Sequence, residues 1–210
     1  MKTTFKLFGL IFMLFAFVAC SDDEGPELLS VQSNTASNIP APQIGSFGQG
    51  EISGEFTKFS FATGAVTTSV SDCYLALCGT SVAVNGGTTT GTNDEPARNG
   101  QGGATIVDGT FASVTSAEGL SFAVDGTGAF AIPTGSDNGW YNYNFMTNVV
   151  SALPGKIFVI RTHDGKFAKV EFLSYYENAP ANPDGFADTP RFYTFNYVYN
   201  PNEGDTSLGN

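Results

Sequence analysis

The sequence is poor in the residues that most chemistry requires. Its 210 residues include one histidine, one tryptophan, three cysteines and three methionines. Lys and Arg together number 9 against 20 Asp and Glu, and charged residues make up only 14% of the chain. So little positive charge excludes a phosphate-binding surface, and with it nucleic acid as a partner. A triad built on histidine would have to use His163, which falls at the tip of a predicted hairpin with its nucleophile still to be found elsewhere. No GKS or GKT follows the glycine-rich stretch Gly86 to Gly103, and no DxDxDG calcium loop occurs. The carboxylates lie mainly in loops and tails, where no spacing singles out a glycosidase pair. The chain is therefore not expected to be an enzyme. Its single long apolar run, Leu7 to Ala19, falls short of the ~20 residues that span a bilayer.

What is abundant is Gly (25) and Phe (19), with Thr, Ser and Asn between them, a mixture suited to many short strands and tight turns. The length allows one generous domain. The clearest element is Lys156 to Tyr176, KIFVIRTHDGKFAKVEFLSYY, which reads as a β-hairpin turning at Asp164-Gly165. A two-residue type I′ turn there pairs Arg161 with Ala168, Val159 with Val170 and Ile157 with Phe172. It leaves the opposite face (Ile160 with Lys169, Phe158 with Glu171) half wet.

The N-terminus has Lys2 and Lys6, then the apolar run, then Cys20, as in a cleaved export signal over residues 1–19. Phe17-Val18-Ala19-Cys20 looks like a bacterial lipobox, in which Cys20 is acylated and anchors the protein on a membrane without crossing it. The acidic cluster Ser21 to Glu24 resembles the surface-export signal of Bacteroidota lipoproteins, which implies the outer face of the outer membrane. Residues 20–50 read as an acidic, then Pro/Ser/Gly-rich tether, part of which can pack as an extended arm.

The folded domain is expected over 51–200. Strands are read at Glu55 to Ala62, twice within Val66 to Asn85, at Ala104 to Val107, at Gly126 to Ala131 and at Phe192 to Asn200. Any short helix would sit in Phe111 to Val124. Cys73 and Cys78 would lie ~16 Å apart on one extended strand, so they read as small buried hydrophobes, a disulfide requiring a bend. Gly86 to Gly103 reads as a mobile polar loop. In Trp140 to Val150, alternation sets Tyr141, Tyr143 and Phe145 against Trp140, Met146 and Asn148, as core. Tyr193, Phe195, Tyr197 and Tyr199 share one face that either fills the interior or lines a pocket. Residues 201–210 read as a disordered tail.

These residues resemble the HmuY family, haem-binding lipoproteins of Bacteroidota. The clearest match is Lys156 to Tyr176: an apolar strand running to Arg161, the DG turn, then Ala168-Lys169-Val170-Glu171-Phe172 and a Tyr. A second is Ser71 to Gly87, where Asn85-Gly86 is kept but Cys73 and Tyr74 stand where members tend to carry Trp and Asp. The resemblance implies an all-β, single antiparallel domain with at most one or two short helices. It implies haem or a related porphyrin held in an apolar cleft, and transfer to a TonB-dependent outer-membrane receptor. Members clasp iron between two His, or use Met. Here Phe145 and Met146 stand where a His is expected, and Val124 to Asn138 has neither His nor Met. The resemblance thus assigns haem contact to Tyr143, Phe145 and Met146, with Met146 as iron ligand. Arg161, Lys166 and Lys169 are the cations left to greet propionates. The alternative is the same scaffold without haem, acting as a structural or adhesive surface module.

Overall fold

The computed structural model describes residues 27–45 and 52–209; the expected export signal, Cys20 and the acidic cluster lie outside them. Three antiparallel sheets and no helix are found among the described residues, which bears out the all-β, single-domain reading. The largest sheet has the order β1 (Gln32–Pro40), β11 (Pro190–Asn200), β10 (Phe167–Tyr176), β9 (Lys156–Arg161), β6 (Gly103–Asp108). The second runs β3 (Ala65–Thr67), β2 (Thr57–Ser60), β4 (Leu75–Cys78), β5 (Ser81–Val84), and the hairpin β7 (Tyr141–Asn144), β8 (Val149–Ala152) stands apart.

Period-2 alternation explains how the first two sheets meet. Leu75, Leu77, Val82 and Val84 point to one side of β4 and β5, against Phe158, Val170, Phe195 and Tyr197 of the larger sheet. Rings fill the space between them. Phe59 lies edge-on to Phe195 at 5.1 Å, and Phe61 stacks on Tyr74 at 5.5 Å. The aromatic face of β11 therefore fills the interior and lines no pocket there. Buried tyrosine hydroxyls find partners here: Tyr193 donates to Gly79 O at 2.9 Å, and Tyr74 and Tyr199 share a bond of 3.4 Å.

The hairpin forms where expected but in another register. Ala168 faces Ile160, Lys169 faces Val159 and Val170 faces Phe158, one residue away from the two-residue-turn pairing. Only Gly165 takes a positive φ (83°); Asp164 does not, so a type I′ turn is not made. Instead Gly165 N bonds Thr162 O and Thr162 N bonds Lys166 O, a three-residue loop closed by glycine. A one-residue slip exchanges faces, which places Phe158, Ile160, Ala168, Val170 and Phe172 together in the core.

The other face of this sheet is not wet either. Ile157 and Val159 are buried beneath Val114, Ala117 and Leu208, so the segments around 111–122 and 206–208 form a cover. The residues read as a disordered tail are docked: Leu208 N bonds Thr115 O and Ala117 N bonds Thr206 O. Lys169 sits under the cover with 3% exposure, its Nζ donating to Phe111 O at 2.7 Å and Val114 O at 2.8 Å. The Phe111 ring lies 4.5 Å from the ammonium, and burial lowers its pKa. No helix forms over Phe111 to Val124. Gly126 to Ala131 is no strand but a tight turn, with Gly126 and Ala129 bonded to each other. Within the expected tether, β1 pairs with β11, an extended arm incorporated into the sheet.

Cys73 and Cys78 are free, buried thiols; burial pushes Cys73 up to about 11 and Cys78 in the same direction. The loop between Gly86 and Gly102, expected to be mobile, is tied down by a buried ionic cluster. Arg98 Nη2 lies 2.6 Å from Glu95 Oε2 and 2.9 Å from Asp125 Oδ2, with all three side chains at most 2% exposed. Asp125 also accepts from Val84 N at 3.0 Å and Ala131 N at 2.8 Å. Glu95 accepts from Thr90 N at 3.0 Å and Thr92 N at 2.8 Å. Burial pushes the Asp125 carboxyl up against its donors, whereas at Glu95 the Thr90 and Thr92 donors and Arg98 outweigh burial and hold it low.

Breaking such a cluster from one side strands charge in the interior, at a cost of about 3–5 kcal/mol. Arg98→Ala should lower stability by about that amount in urea unfolding, whereas Phe145→Ala on the surface should stay within about 0.5 kcal/mol. Equal effects would contradict the assignment. Glu95 has a folded pKa below its unfolded one, so its contribution is intact above about pH 4.3 and is lost as pH falls through the lowered value. Asp125, with a raised pKa, costs stability at neutral pH, and that cost is relieved on acidification. Protection factors of the Thr90 and Thr92 amides, relative to intrinsic exchange at each pH, should therefore fall on acidification before that of Val159 does, and a simultaneous fall would contradict this.

Candidate functional site

The expected haem contacts lie on the β7–β8 hairpin, which projects from the body of the protein. Its base is core: Trp140 is buried, donates from Nε1 to Thr80 O at 2.9 Å, and packs 5.0 Å from Tyr193. Its tip is not core. Phe145 and Met146 are 77% and 72% exposed, and Tyr143 42%. The alternation read from the sequence ends at Asn144, because Asn144 Oδ1 accepts from Met146 N at 3.0 Å and folds 145–148 into a turn.

A second wall comes from the loop before β11. Met146, Thr147 and Val149 line a cleft of about 360 Å3 with Pro183, Asp184, Gly185 and Phe186. Phe186 is 79% exposed. Asp184 Oδ1 accepts from Phe186 N at 2.9 Å, and Asp188 Oδ2 accepts from Asp184 N at 2.7 Å, so the loop is folded on itself.

Asn148 joins the walls. At a positive φ of 55°, its Nδ2 donates to Gly185 O at 2.7 Å while its Oδ1 accepts from Tyr143 OH at 2.9 Å. Gly185 is needed for this approach, since a Cβ there would lie 2.3 Å from Asn148 O. The hairpin is fixed to the large sheet by Tyr176, whose hydroxyl accepts from Val150 N at 3.0 Å.

Of the three predicted contact residues, the cleft takes Met146 alone. Tyr143 acts behind the wall through Asn148, and Phe145 lies outside the lining. The cleft's volume falls in the lower part of the range for small-molecule sites, about 300–1,000 Å3. Its lining offers a flat ligand one thioether, one exposed ring, the Thr147 hydroxyl and the Asp184 carboxylate.

The cations expected to meet propionates are elsewhere. Arg161 Nε donates to Gln101 O at 2.8 Å, Lys166 pairs with Asp164 at 2.8 Å, and Lys169 is buried. They lie toward the opposite end of β10 from Tyr176, about 30 Å for a strand of this length. His163 shares that end. Its ring is 4.9 Å from that of Tyr74 and its Nδ1 is buried without a hydrogen bond, so it is no exposed turn residue. Phe186, Gly185 and Asn148 were not singled out from sequence. The available signal was one aromatic residue isolated among Pro183, Asp184 and Gly185.

No protein-family profile and no curated protein matches the chain. Among solved structures, the apo HmuY analog of Tannerella forsythia is 13% identical over 84% of this chain and 100% of that one, with a TM-score of 0.49. An HmuY-like candidate haem-binding protein of Bacteroides vulgatus is 14% identical over 82% and 93%, with a TM-score of 0.44. A candidate lipoprotein of Bacteroides fragilis is 15% identical over 70% and 85%, with a TM-score of 0.43.

Gly185→Ala should separate the two walls. The expected outcome is faster protease cleavage within 183–186, with the urea midpoint reduced by about 1–3 kcal/mol in stability. Unchanged cleavage would show that the loop is held without the Asn148 contact.

Proposed function

We propose that this chain is a lipoprotein of the outer-membrane surface that takes haem or a related porphyrin at the Met146 cleft, for passage to a TonB-dependent receptor. The observation that carries the reading is the pairing of an exposed thioether with an exposed phenyl ring across one apolar cleft whose walls are fixed by Asn148. Contiguous exposed apolar surface rimmed by polar residues is the kind of surface that takes a ligand or partner, and Met146 and Phe186 line one cleft together.

Each residue has a role on this reading. Phe186 would stack on the ligand, Met146 would offer its sulfur to a bound metal, and Val149 and Pro183 would limit water at the inner edge. Haem, if bound, would supply an iron able to take a soft thioether donor. With no Lys or Arg lining the cleft, ligand carboxylates face solvent. Anchoring through Cys20 keeps the cleft at the membrane surface.

The second reading, a structural or adhesive module without haem, draws its support from the filled aromatic interior and from the single thioether.

Titration with haem should produce a Soret band distinct from that of free haem. Met146→Ala should weaken haem binding about tenfold, or 1.4 kcal/mol, while leaving iron-free protoporphyrin binding within about twofold. A parent protein that leaves the free-haem spectrum unchanged would sink the haem reading and favour the second. For the anchor, Cys20→Ser should abolish palmitate incorporation and release the protein from the membrane fraction; retention there without label would contradict acylation.

A further inference from the structure

Among the described residues, seven other than glycine hold a positive φ, and five of these are Asn or Asp, whose short polar side chains tolerate it. The two that are neither, Ala179 (46°) and Arg191 (72°), stand at the two roots of one loop, which carries Asp184, Gly185 and Phe186 between them. Both roots are fixed to the body of the protein. Asn178, left-handed as well, accepts from Asn38 Nδ2 of β1 at 3.1 Å and donates its own N–H to Asn38 Oδ1 at 2.7 Å. On the other side Arg191 O accepts from Ala41 N at 2.8 Å. Between the roots the loop is folded on itself: Asp184 N donates to Asp188 Oδ2 at 2.7 Å, and Asp188 N to Asp184 O at 2.8 Å. Two hydrogen bonds hold this folded piece down, Asn148 Nδ2 to Gly185 O at 2.7 Å and Glu177 N to Thr189 O at 2.9 Å. A segment that keeps its own shape, is strained at both roots and is fastened at two points has the construction of a hinged flap.

We propose that residues 180–190 form a flap that swings out about Ala179 and Arg191, with Asn148 as its latch, and that its opening joins two clefts into one trough. Beyond the Met146 cleft, a second cleft of about 210 Å3 continues along β8, between Val150 to Ala152 on one side and Leu173 to Tyr176 on the other. Its outer wall is the same loop, at Pro180, Ala181 and Pro183. Pro183 lines both clefts, so the loop is what divides them. Opening lets Ala179 and Arg191 leave the left-handed region, and the strain released offsets the two hydrogen bonds given up. A flat ligand too long for the Met146 cleft can then lie along β8, the porphyrin of the reading above included. The flap itself rests on backbone geometry and stands without that reading.

The test is pulsed EPR on the full chain carrying Cys20→Ser, spin-labelled through Leu173→Cys on β10 and Ala187→Cys on the flap, both exposed positions; Cys73 and Cys78 are buried. The expected result is two label separations, the longer being the open form. Asn148→Gly keeps the backbone conformation and removes the latch, and it should raise the ratio of long to short about fivefold, the worth of one hydrogen bond. Ala179→Gly relieves the strain of the closed form and should lower that ratio about threefold. Hydrogen exchange at the Glu177 amide, freed when Thr189 moves away, should rise and fall in the same order. Two separations in the protein alone uphold the flap whether or not haem binds. One separation, unchanged in all three proteins, overturns the flap, and a ratio indifferent to Ala179→Gly overturns the hinge at that root.

Discussion

The two main sheets of this structure are joined by the packing of rings between them. Phe59, Phe61 and Tyr74 from one side meet Phe195, Tyr197 and Tyr199 from the other at centroid distances of 5.1 to 6.3 Å. Tyr193, Phe172 and Trp140 continue the stack toward the base of the β7–β8 hairpin. Interiors packed in this way respond to added volume with strain. The ligand site we propose is therefore at the rim, where the hairpin and the 183–186 loop leave apolar surface uncovered.

The rim is built by short-range chemistry that owes little to the core. Asn144 folds the tip, Asn148 spans to Gly185, and Asp184 folds its own loop. Each of these is a side-chain amide or carboxylate holding backbone where no sheet ladder reaches. The same device appears on a larger scale in the Arg98, Glu95 and Asp125 cluster, which fixes a glycine-rich loop that has almost no apolar residues of its own. Lys169 does the opposite job with one cation and two carbonyls, holding the cover over the outer face of the large sheet.

How much of this was legible in the sequence depended on the range of the forces involved. Four strands of the large sheet, β6, β9, β10 and β11, were readable because alternation and β-branched or aromatic composition are local, whereas β1 lies in the expected tether and owes its place to pairing with β11. The Asp164-Gly165 signal located the hairpin, but its register turned on whether one or two residues took positive φ, and only Gly165 does. The unbroken Ile157 to Ile160 run already hinted at two covered faces; the cover itself comes from residues 50 positions away in either direction, roughly, and no local pattern joins them. The Gly86 to Gly102 loop looked mobile for the same reason, since Arg98 meets Asp125 only in the fold. At the site, the family resemblance picked out Met146, but the wall opposite depends on Gly185 fitting against Asn148, a contact made 37 residues apart.

The claim that the interior is closed and the rim is the ligand site is tested most directly by methyl NMR of the protein labelled at Met and Val. On addition of haem, the Met146 methyl should shift or broaden while the methyl groups of Val170 and Val84, inside the sandwich, keep their positions. Movement of Val170 and Val84 with Met146 unperturbed would place the ligand between the sheets and contradict the account.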